Sequence, residues 1–139
     1  MHPSAILESA LYAEDLDTAE DFYARIIGLE RIAKVEGRHV FFRCGHGVLL
    51  VFNPKATINP PPPDAILPMP PHGTTGEGHL CLAATADEID AWKAHLISHG
   101  IEIEADFHWP SKGDEPKGGR SIYFRDPAGN SLEFAEPRI

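Results

Sequence analysis

The hydrophobic and polar positions of this chain follow the same order in its first and second halves. In the first half, alternation over residues 6–13 predicts a strand, and apolar positions spaced three or four apart over 15–28 predict a helix. Three further strands are predicted there, over residues 29–35, 38–44 and 48–52. The second half repeats the series, with a strand over 78–84, a helix over 86–100 and strands over 101–107, 120–124 and 131–135.

The two halves also resemble each other residue by residue. RHVFFR over 38–43 corresponds to RSIYFR over 120–125, and LLVFNP over 49–54 corresponds to LEFAEP over 132–137. A series of five elements that occurs twice predicts an internal duplication. The predicted fold class is therefore α+β, with two tandem βαβββ modules that form a curled mixed sheet around a concave cavity, helices outside.

The predicted organisation is one structural domain in which a first module, residues 1–53, and a second module, residues 77–139, are joined by a linker over 54–76. Residues 53–76 contain eight prolines, four of them consecutive. Because proline disrupts strand ladders and helix interiors, we expect a stiff, extended linker. The loop over 106–119, which contains Trp109, is longer than its counterpart in the first half and predicts either a lid or a surface insertion.

Composition narrows the range of functions. With 21 Asp+Glu against 12 Lys+Arg, the net charge is −9, and the chain lacks the clustered basic residues that nucleic-acid binding requires. Its apolar runs are far shorter than the roughly 20 residues that span a bilayer, and the N-terminal segment does not resemble a secretory signal. We therefore expect a cytoplasmic protein without nucleic-acid or membrane partners. Cys44 and Cys81 predict no disulfide framework and are expected to be small core residues.

One face of the predicted sheet carries the residues capable of chemistry. Alternate strand positions share a face, and this face combines small residues with five polar ones: Glu8, His79, Ser121, Tyr123 and Glu133. Glu8 and His79 occupy equivalent positions of the duplication, so we expect them to lie near each other. Two carboxylates on one concave surface either share a proton or hold a cation. With one imidazole, they predict a site for a divalent ion held by Glu8, His79 and Glu133.

A structural role explains the same pattern. In that interpretation Glu8 and Glu133 lie on a solvated sheet face and His79 is a hydrogen-bonded core histidine, and the residues alone leave both interpretations open. A second histidine pair, His95 and His99, is spaced four apart in the last turn of a predicted helix. There imidazoles complement the helix dipole, so we assign this pair a structural role.

These features resemble the vicinal-oxygen-chelate superfamily, which includes glyoxalase I, extradiol dioxygenases, methylmalonyl-CoA epimerase, fosfomycin-resistance thiol transferases and bleomycin-resistance proteins. The resemblance covers the chain except the linker. It is carried by Glu8 seven residues before Asp15-Leu16, by Phe22-Tyr23 followed by Gly28-Leu29, and by Gly78-His79. Its most specific part is FRDPAGNSLE over 124–133, in which a strand, an Asp-Pro-x-Gly turn and a second strand end in a glutamate.

The resemblance implies a site. The metal ligands would be Glu8, His79 and Glu133, the ion one of Mn, Fe, Co, Ni, Zn or Mg, and the substrate contacts Tyr123 and Ser121. Glu8 would be either a ligand or a general base. Glu8 stands where dioxygenases and fosfomycin enzymes carry a histidine, and Leu50 stands where nickel or zinc glyoxalases carry a fourth ligand. Both differences argue against iron-dependent oxygen activation and lactoylglutathione lyase activity.

The resemblance also implies a function. We expect a glyoxalase-like, metal-dependent enzyme that acts as a Lewis acid on a small oxygen-chelating substrate, as a lyase, isomerase, transferase or dioxygenase. The alternative is a non-catalytic small-molecule binding protein of the bleomycin-resistance type, because one scaffold hosts several functions. In either case we expect a homodimer.

Overall fold

The computed structural model describes residues 1–111, 113 and 118–137. Part of the predicted lid, residues 112 and 114–117, and the last two positions of the predicted second module lie outside the described residues. The chain divides into two compact units, Met1–Gly76 and Glu77–Ile139.

The first unit is a four-stranded sheet with a helix on one face. Its elements are β1 (Glu8–Tyr12), α1 (Leu16–Asp21), a π-helical continuation of α1 (Phe22–Ile26), β2 (Glu30–Val35), β3 (His39–Cys44), β4 (Gly47–Phe52) and α2 (Pro54–Thr57). The strand order is β1-β4-β3-β2. β1 runs parallel to β4, and the other neighbours are antiparallel.

The second unit repeats this topology. It contains β5 (His79–Ala83), α3 (Ala86–Ser98), β6 (Ala105–His108), β7 (Arg120–Arg125) and β8 (Ser131–Ala135). The strand order is β5-β8-β7-β6, again with one parallel pair, β5 and β8. The predicted α+β fold with two tandem βαβββ modules is thus confirmed.

Each unit has its own apolar core on the helix-covered side of its sheet. In the first unit the fully buried rings of Tyr23 and Phe42 lie 5.6 Å apart. In the second, α3 packs against β7 and contributes Ile89 and Leu96 to the core. The bulky strand residues that point to this side are buried: Leu11, Val40, Phe42, Leu49, Val51, Ile122, Phe124, Leu132 and Phe134.

The ends of α3 are set by local hydrogen bonds. At the start, the Thr85 side chain accepts from the backbone N–H of Glu88 while the Glu88 carboxylate accepts from the N–H of Thr85, which is a capping box. At the end, Gly100 adopts a φ of +73°, and the N–H of Ile101 donates to the carbonyl of Leu96. This C-terminal motif occupies the backbone of Ile101, so β6 begins only at Ala105 rather than at the predicted residue 101.

Three further expectations about local structure are corrected. The linker opens with one helical turn, α2, because Pro54 is at its first position, where a missing N–H costs nothing, and Asn53 caps it. The first strand, predicted over residues 6–13, begins only at Glu8, and Leu7 before it is 70% exposed. Cys81, which was expected in the core, is exposed, because it lies on the face of β5 opposite to the apolar core.

Among the described residues, no helix has the length and apolar character needed to cross a membrane.

An ion-pair cluster ties β6 to β7 and α3. The carboxylate of Asp106 accepts from Arg120 at 2.8 Å and from Lys93 at 2.6 Å. Hydrogen bonds from Arg120 first, and then from Lys93, hold the pKa of Asp106 well below its usual value. A carboxyl group whose pKa is lowered by folding stabilises the folded state at pH values above its unfolded pKa, and this contribution is lost as the pH falls.

We therefore predict that Asp106→Asn lowers the free energy of unfolding at pH 7. The difference from the wild type should shrink at pH 3, below the unfolded pKa of about 4, because Asp106 is then protonated in the unfolded chain, which lowers the free energy of unfolding of the wild type. Urea denaturation of both proteins at the two pH values measures this. The control is Asp64→Asn, an exposed linker residue, which should behave as the wild type at both. An Asp106→Asn deficit as large at pH 3 as at pH 7 would contradict the assignment.

Candidate functional site

The sheet registers place the predicted ligands at equivalent positions of the two units. In the second unit His79 pairs with Ser131 and Cys81 pairs with Glu133, so His79 and Glu133 are diagonal neighbours on one face. In the first unit Glu8 pairs with Val48, and Leu50 occupies the position that corresponds to Glu133. The equivalence of Glu8 with His79 that the duplication predicts is therefore present in the strand registers.

His79 and Glu133 face each other. The Nε2 atom of His79 lies 3.4 Å from the Oε2 atom of Glu133. The glutamate side chain is 5% exposed and the histidine side chain 52% exposed. The other carboxylate oxygen, Oε1, is buried and has no hydrogen-bond partner.

The hydrogen bonding of His79 determines which of its ring nitrogens carries a proton and which presents a lone pair. Nδ1 lies 3.0 Å from the carbonyl oxygen of Ser131, which can only accept, so Nδ1 carries the proton. In the neutral ring, Nε2 then points a lone pair at the Glu133 carboxylate. Two acceptor atoms that face each other require a cation between them, either a proton or a metal ion.

This arrangement fits a divalent metal ion. Metal-bound imidazoles commonly donate their second N–H to a carbonyl or carboxylate, as His79 does to Ser131. An unpaired, buried carboxylate oxygen is costly without a partner, and a cation would supply one. One nitrogen and one carboxylate suit Mn, Fe, Co, Ni or Zn better than Mg, which prefers oxygen ligands alone.

Glu8, the third predicted ligand, lies at the start of β1 in the first unit, where it is exposed. It shares the open face of that sheet with Ala10 and Tyr12. Within the described part of the chain, no group of three or more His, Cys, Asp or Glu side chains is gathered as a metal site. The role of Glu8 as a third ligand therefore stays a prediction.

The turn between β7 and β8 positions His79, a role that the sequence motif alone did not indicate. Asp126 accepts from the backbone N–H of Asn130 at 2.8 Å, and Asn130 accepts from the N–H of Gly78 at 2.9 Å. The N–H of Ser131 donates to the carbonyl of Gly78 at 2.8 Å. Asp126 and Asn130 are buried, so this turn sets the register of β5 on β8 and with it the diagonal contact of His79 with Glu133.

A family profile described as the Glyoxalase/Bleomycin resistance protein/Dioxygenase superfamily matches residues 5–134. The chain belongs to this superfamily, the vicinal-oxygen-chelate superfamily. The turn that positions His79 lies within the matched segment.

Individual relatives in this superfamily include solved structures and a curated protein. The crystal structure of lactoylglutathione lyase from Agrobacterium tumefaciens is 45% identical, with a TM-score of 0.86, and the match covers 96% of this chain and 94% of that one. A virulence protein from Salmonella typhimurium, 23% identical with a TM-score of 0.70 over 98% of both chains, shows the shared fold alone. Catechol-2,3-dioxygenase of Bacillus subtilis (strain 168) is 28% identical over 131 residues, which are 92% of this chain. The chain spans only 40% of that relative's length.

The two predicted substrate contacts of this superfamily member differ in exposure. Tyr123 pairs with Glu133 across the sheet, is half-buried, and stacks on His79 with ring centres 6.1 Å apart. Ser121 is fully buried, and its hydroxyl oxygen accepts from the indole Nε1–H of Trp109 at 2.8 Å. Ser121 thus fastens the loop residue Trp109 to the sheet, and a contact of either residue with substrate stays a prediction.

We predict an energetic coupling between Trp109 and Ser121. Trp109→Phe and Ser121→Ala should each lower the free energy of unfolding, and the double variant should lose about 1 kcal/mol less than the sum of the two, because the shared hydrogen bond is removed only once. A double-mutant cycle by urea denaturation measures this, with Trp92→Phe in place of Trp109→Phe as the matched control. Strict additivity for Trp109 and Ser121 would show that the hydrogen bond contributes nothing.

Proposed function

We propose that this protein is a glyoxalase-like, metal-dependent enzyme that binds a small substrate through two neighbouring oxygen atoms. Its metal ligands are Glu8, His79 and Glu133. We also propose that the protein is a homodimer, as its membership of the superfamily suggests. The reaction class is that of a lyase or isomerase that acts on the carbon next to a carbonyl or hydroxyl group.

A single observation carries the proposal. His79 presents the lone pair of Nε2 to a buried carboxylate at 3.4 Å, and that carboxylate keeps a second buried oxygen without a partner. A merely structural histidine–glutamate pair would be expected to satisfy both oxygens with protein donors. The hydrogen bonding of Glu133 is instead incomplete, as is expected of a metal ligand whose ion is not bound.

The comparisons support an enzyme of this type. A protein that is 45% identical over nearly the whole chain is described as lactoylglutathione lyase, and the more distant curated relative is described as catechol-2,3-dioxygenase. In this chain the position equivalent to Glu133 in the first unit is Leu50, which is apolar and 8% exposed, so that position provides no fourth ligand. A triad would leave more coordination positions open for substrate oxygens than four protein ligands do.

When bound, a divalent ion would polarise a substrate oxygen and stabilise the negative charge that develops on it. Glu133 and His79 would hold such an ion from neighbouring strands of one sheet, where the turn at Asn130 sets their register. Glu8, at the exposed start of β1, either completes the ligand set or accepts a proton from the substrate carbon as a general base. Tyr123, beside Glu133 on the neighbouring strand, would orient the substrate.

A non-catalytic binding protein of the bleomycin-resistance type is the second candidate. It is favoured by one observation, the lack of a three-membered ligand cluster among the residues that the structure describes. Such a protein would bind its ligand without a metal ion. Metal content therefore separates the two candidates.

The expected result for the enzyme is one divalent ion per chain in protein purified without chelators. His79→Ala and Glu133→Ala should lose the ion, and the increase in unfolding temperature on adding Mn²⁺, Co²⁺, Ni²⁺ or Zn²⁺ should disappear. For a ligand at 100 times its Kd, this stabilisation is about 2.7 kcal/mol. Glu8→Ala should weaken metal binding at least tenfold. Elemental analysis and thermal unfolding with each ion measure these effects.

Two matched controls accompany these variants. His99→Ala removes an exposed histidine of the second unit, and Glu102→Ala removes an exposed glutamate there, so both should keep the ion. Far-UV circular dichroism checks that each variant is folded. Metal content that is unchanged in both His79→Ala and Glu133→Ala would overturn the proposal, and a wild type that binds no ion would favour the binding protein.

A further inference from the structure

The open face of the first unit carries a wall of aromatic rings at the end of β1 opposite to Glu8. The rings of His39 and Phe41 stack in parallel with centres 4.0 Å apart, and Phe52 packs edge-on against both. Tyr12 continues the row beyond Phe52, at 6.2 Å. We call this surface the aromatic wall; its members are Tyr12, His39, Phe41 and Phe52.

The linker holds one edge of the aromatic wall in place. The Nδ1 atom of His72 lies 2.8 Å from the hydroxyl of Tyr12, and the His72 ring packs edge-on against Phe52 at 4.6 Å. The backbone N–H of His72 donates to the carbonyl of Thr57, which is buried. The orientation of Tyr12 is therefore set before any ligand binds.

At the equivalent positions the second unit keeps one ring of this wall, Tyr123 in place of Phe41, and has small residues at the other three. Tyr12 pairs with Phe52 in the first unit, and the corresponding pair in the second is Ala83 with Ala135. His39 pairs with Phe52, and the corresponding partner of Ala135 is Ser121. Because both units share one topology, the fold itself does not require large rings here.

The polar atoms of His39 indicate a ligand with an oxygen atom. Nδ1 is buried and has no hydrogen-bond partner, and His39 as a whole is half-buried. Burial first, and then the charge of Arg38, lower the pKa of His39, so its ring is neutral at pH 7. Because a buried N–H without an acceptor is costlier than a buried lone pair, the proton belongs on Nε2, which can donate to a ligand oxygen.

We propose that the aromatic wall binds a planar, conjugated ring of the substrate, with Nε2 of His39 donating to an oxygen on that ring. The orientation of the substrate in this inference rests on the proposed function, in which Glu8 is a metal ligand. Tyr12 and Glu8 lie on one face of β1, four residues and about 13 Å apart. The substrate class is therefore an elongated aromatic compound whose metal-binding oxygens lie at the Glu8 end. Ring stacking and edge contacts favour a flat conjugated group over a saturated one of equal size.

The test uses 2-naphthol and its saturated counterpart decahydro-2-naphthol as probes, with the full chain stripped of metal. Isothermal titration calorimetry should give a Kd for 2-naphthol at least tenfold below that for decahydro-2-naphthol. Phe41→Leu and, separately, Phe52→Leu should weaken 2-naphthol binding at least tenfold. Phe107→Leu, which changes an exposed stacked ring in the second unit, is the matched control and should not.

A second readout locates the probe. With ¹⁵N-labelled histidine, the ring nitrogen resonances of His39 should move on addition of 2-naphthol, while those of His95 and His99 should not. His79→Ala, which removes the proposed metal site, should bind 2-naphthol like the wild type. The proposal of the metal site and the proposal of the aromatic wall are therefore tested by separate measurements. Equal affinity for the two probes, or binding unaffected by both phenylalanine variants, would overturn the inference.

Discussion

The free energy of burying the Glu133 carboxylate is the constraint around which the second unit is organised. A buried carboxylate is strongly disfavoured unless charge or hydrogen bonds compensate it. Glu133 lies on the inner strand β8, and its side chain is 5% exposed. Among the residues that the structure describes, its one ionic partner is His79, whose Nε2 atom lies 3.4 Å from Oε2. The contact of its Nδ1 with the carbonyl of Ser131 orients the histidine ring, and the buried Asp126–Asn130 turn holds the backbone of Gly78 beside it. The sheet therefore maintains an electron-rich pair that only a cation completes.

The duplication explains how one fold supplies two different faces. The strand registers are the same in both units, but the residues that they bring to the open face have diverged. The second unit has His79 and Glu133 where the first has Glu8 and Leu50. The first has the rings of Tyr12 and Phe52 where the second has Ala83 and Ala135. In our account the second unit supplies most of the metal site, and the first supplies the surface that recognises the rest of the substrate.

Much of the fold and part of the candidate site could be predicted from the sequence. The alternation of apolar and polar residues along the strands and the internal duplication each constrain the sheet. The alternation predicted correctly that His79 and Glu133 share one face of the sheet. The bulky residues at the intervening positions of β7 and β8, Ile122, Phe124, Leu132 and Phe134, are buried on the other face. Other features depend on contacts that the alternation of apolar and polar residues does not predict. The carbonyl of Ser131 determines which ring nitrogen of His79 carries a proton, and the hydroxyl of Ser121 accepts a hydrogen bond from Trp109, twelve residues away. The late start of β6 likewise depends on a contact, the hydrogen bond from the N–H of Ile101 to the carbonyl of Leu96 at the end of α3.

The most direct test of the central claim is an anomalous diffraction map of crystals of the Co²⁺-loaded protein, measured at the cobalt absorption edge. Our account predicts one strong peak at bonding distance, roughly 2.0–2.2 Å, from Nε2 of His79 and from a carboxylate oxygen of Glu133, with Glu8 as the third protein ligand. A peak bound by other residues, or a map with no peak beside His79 and Glu133, would contradict it.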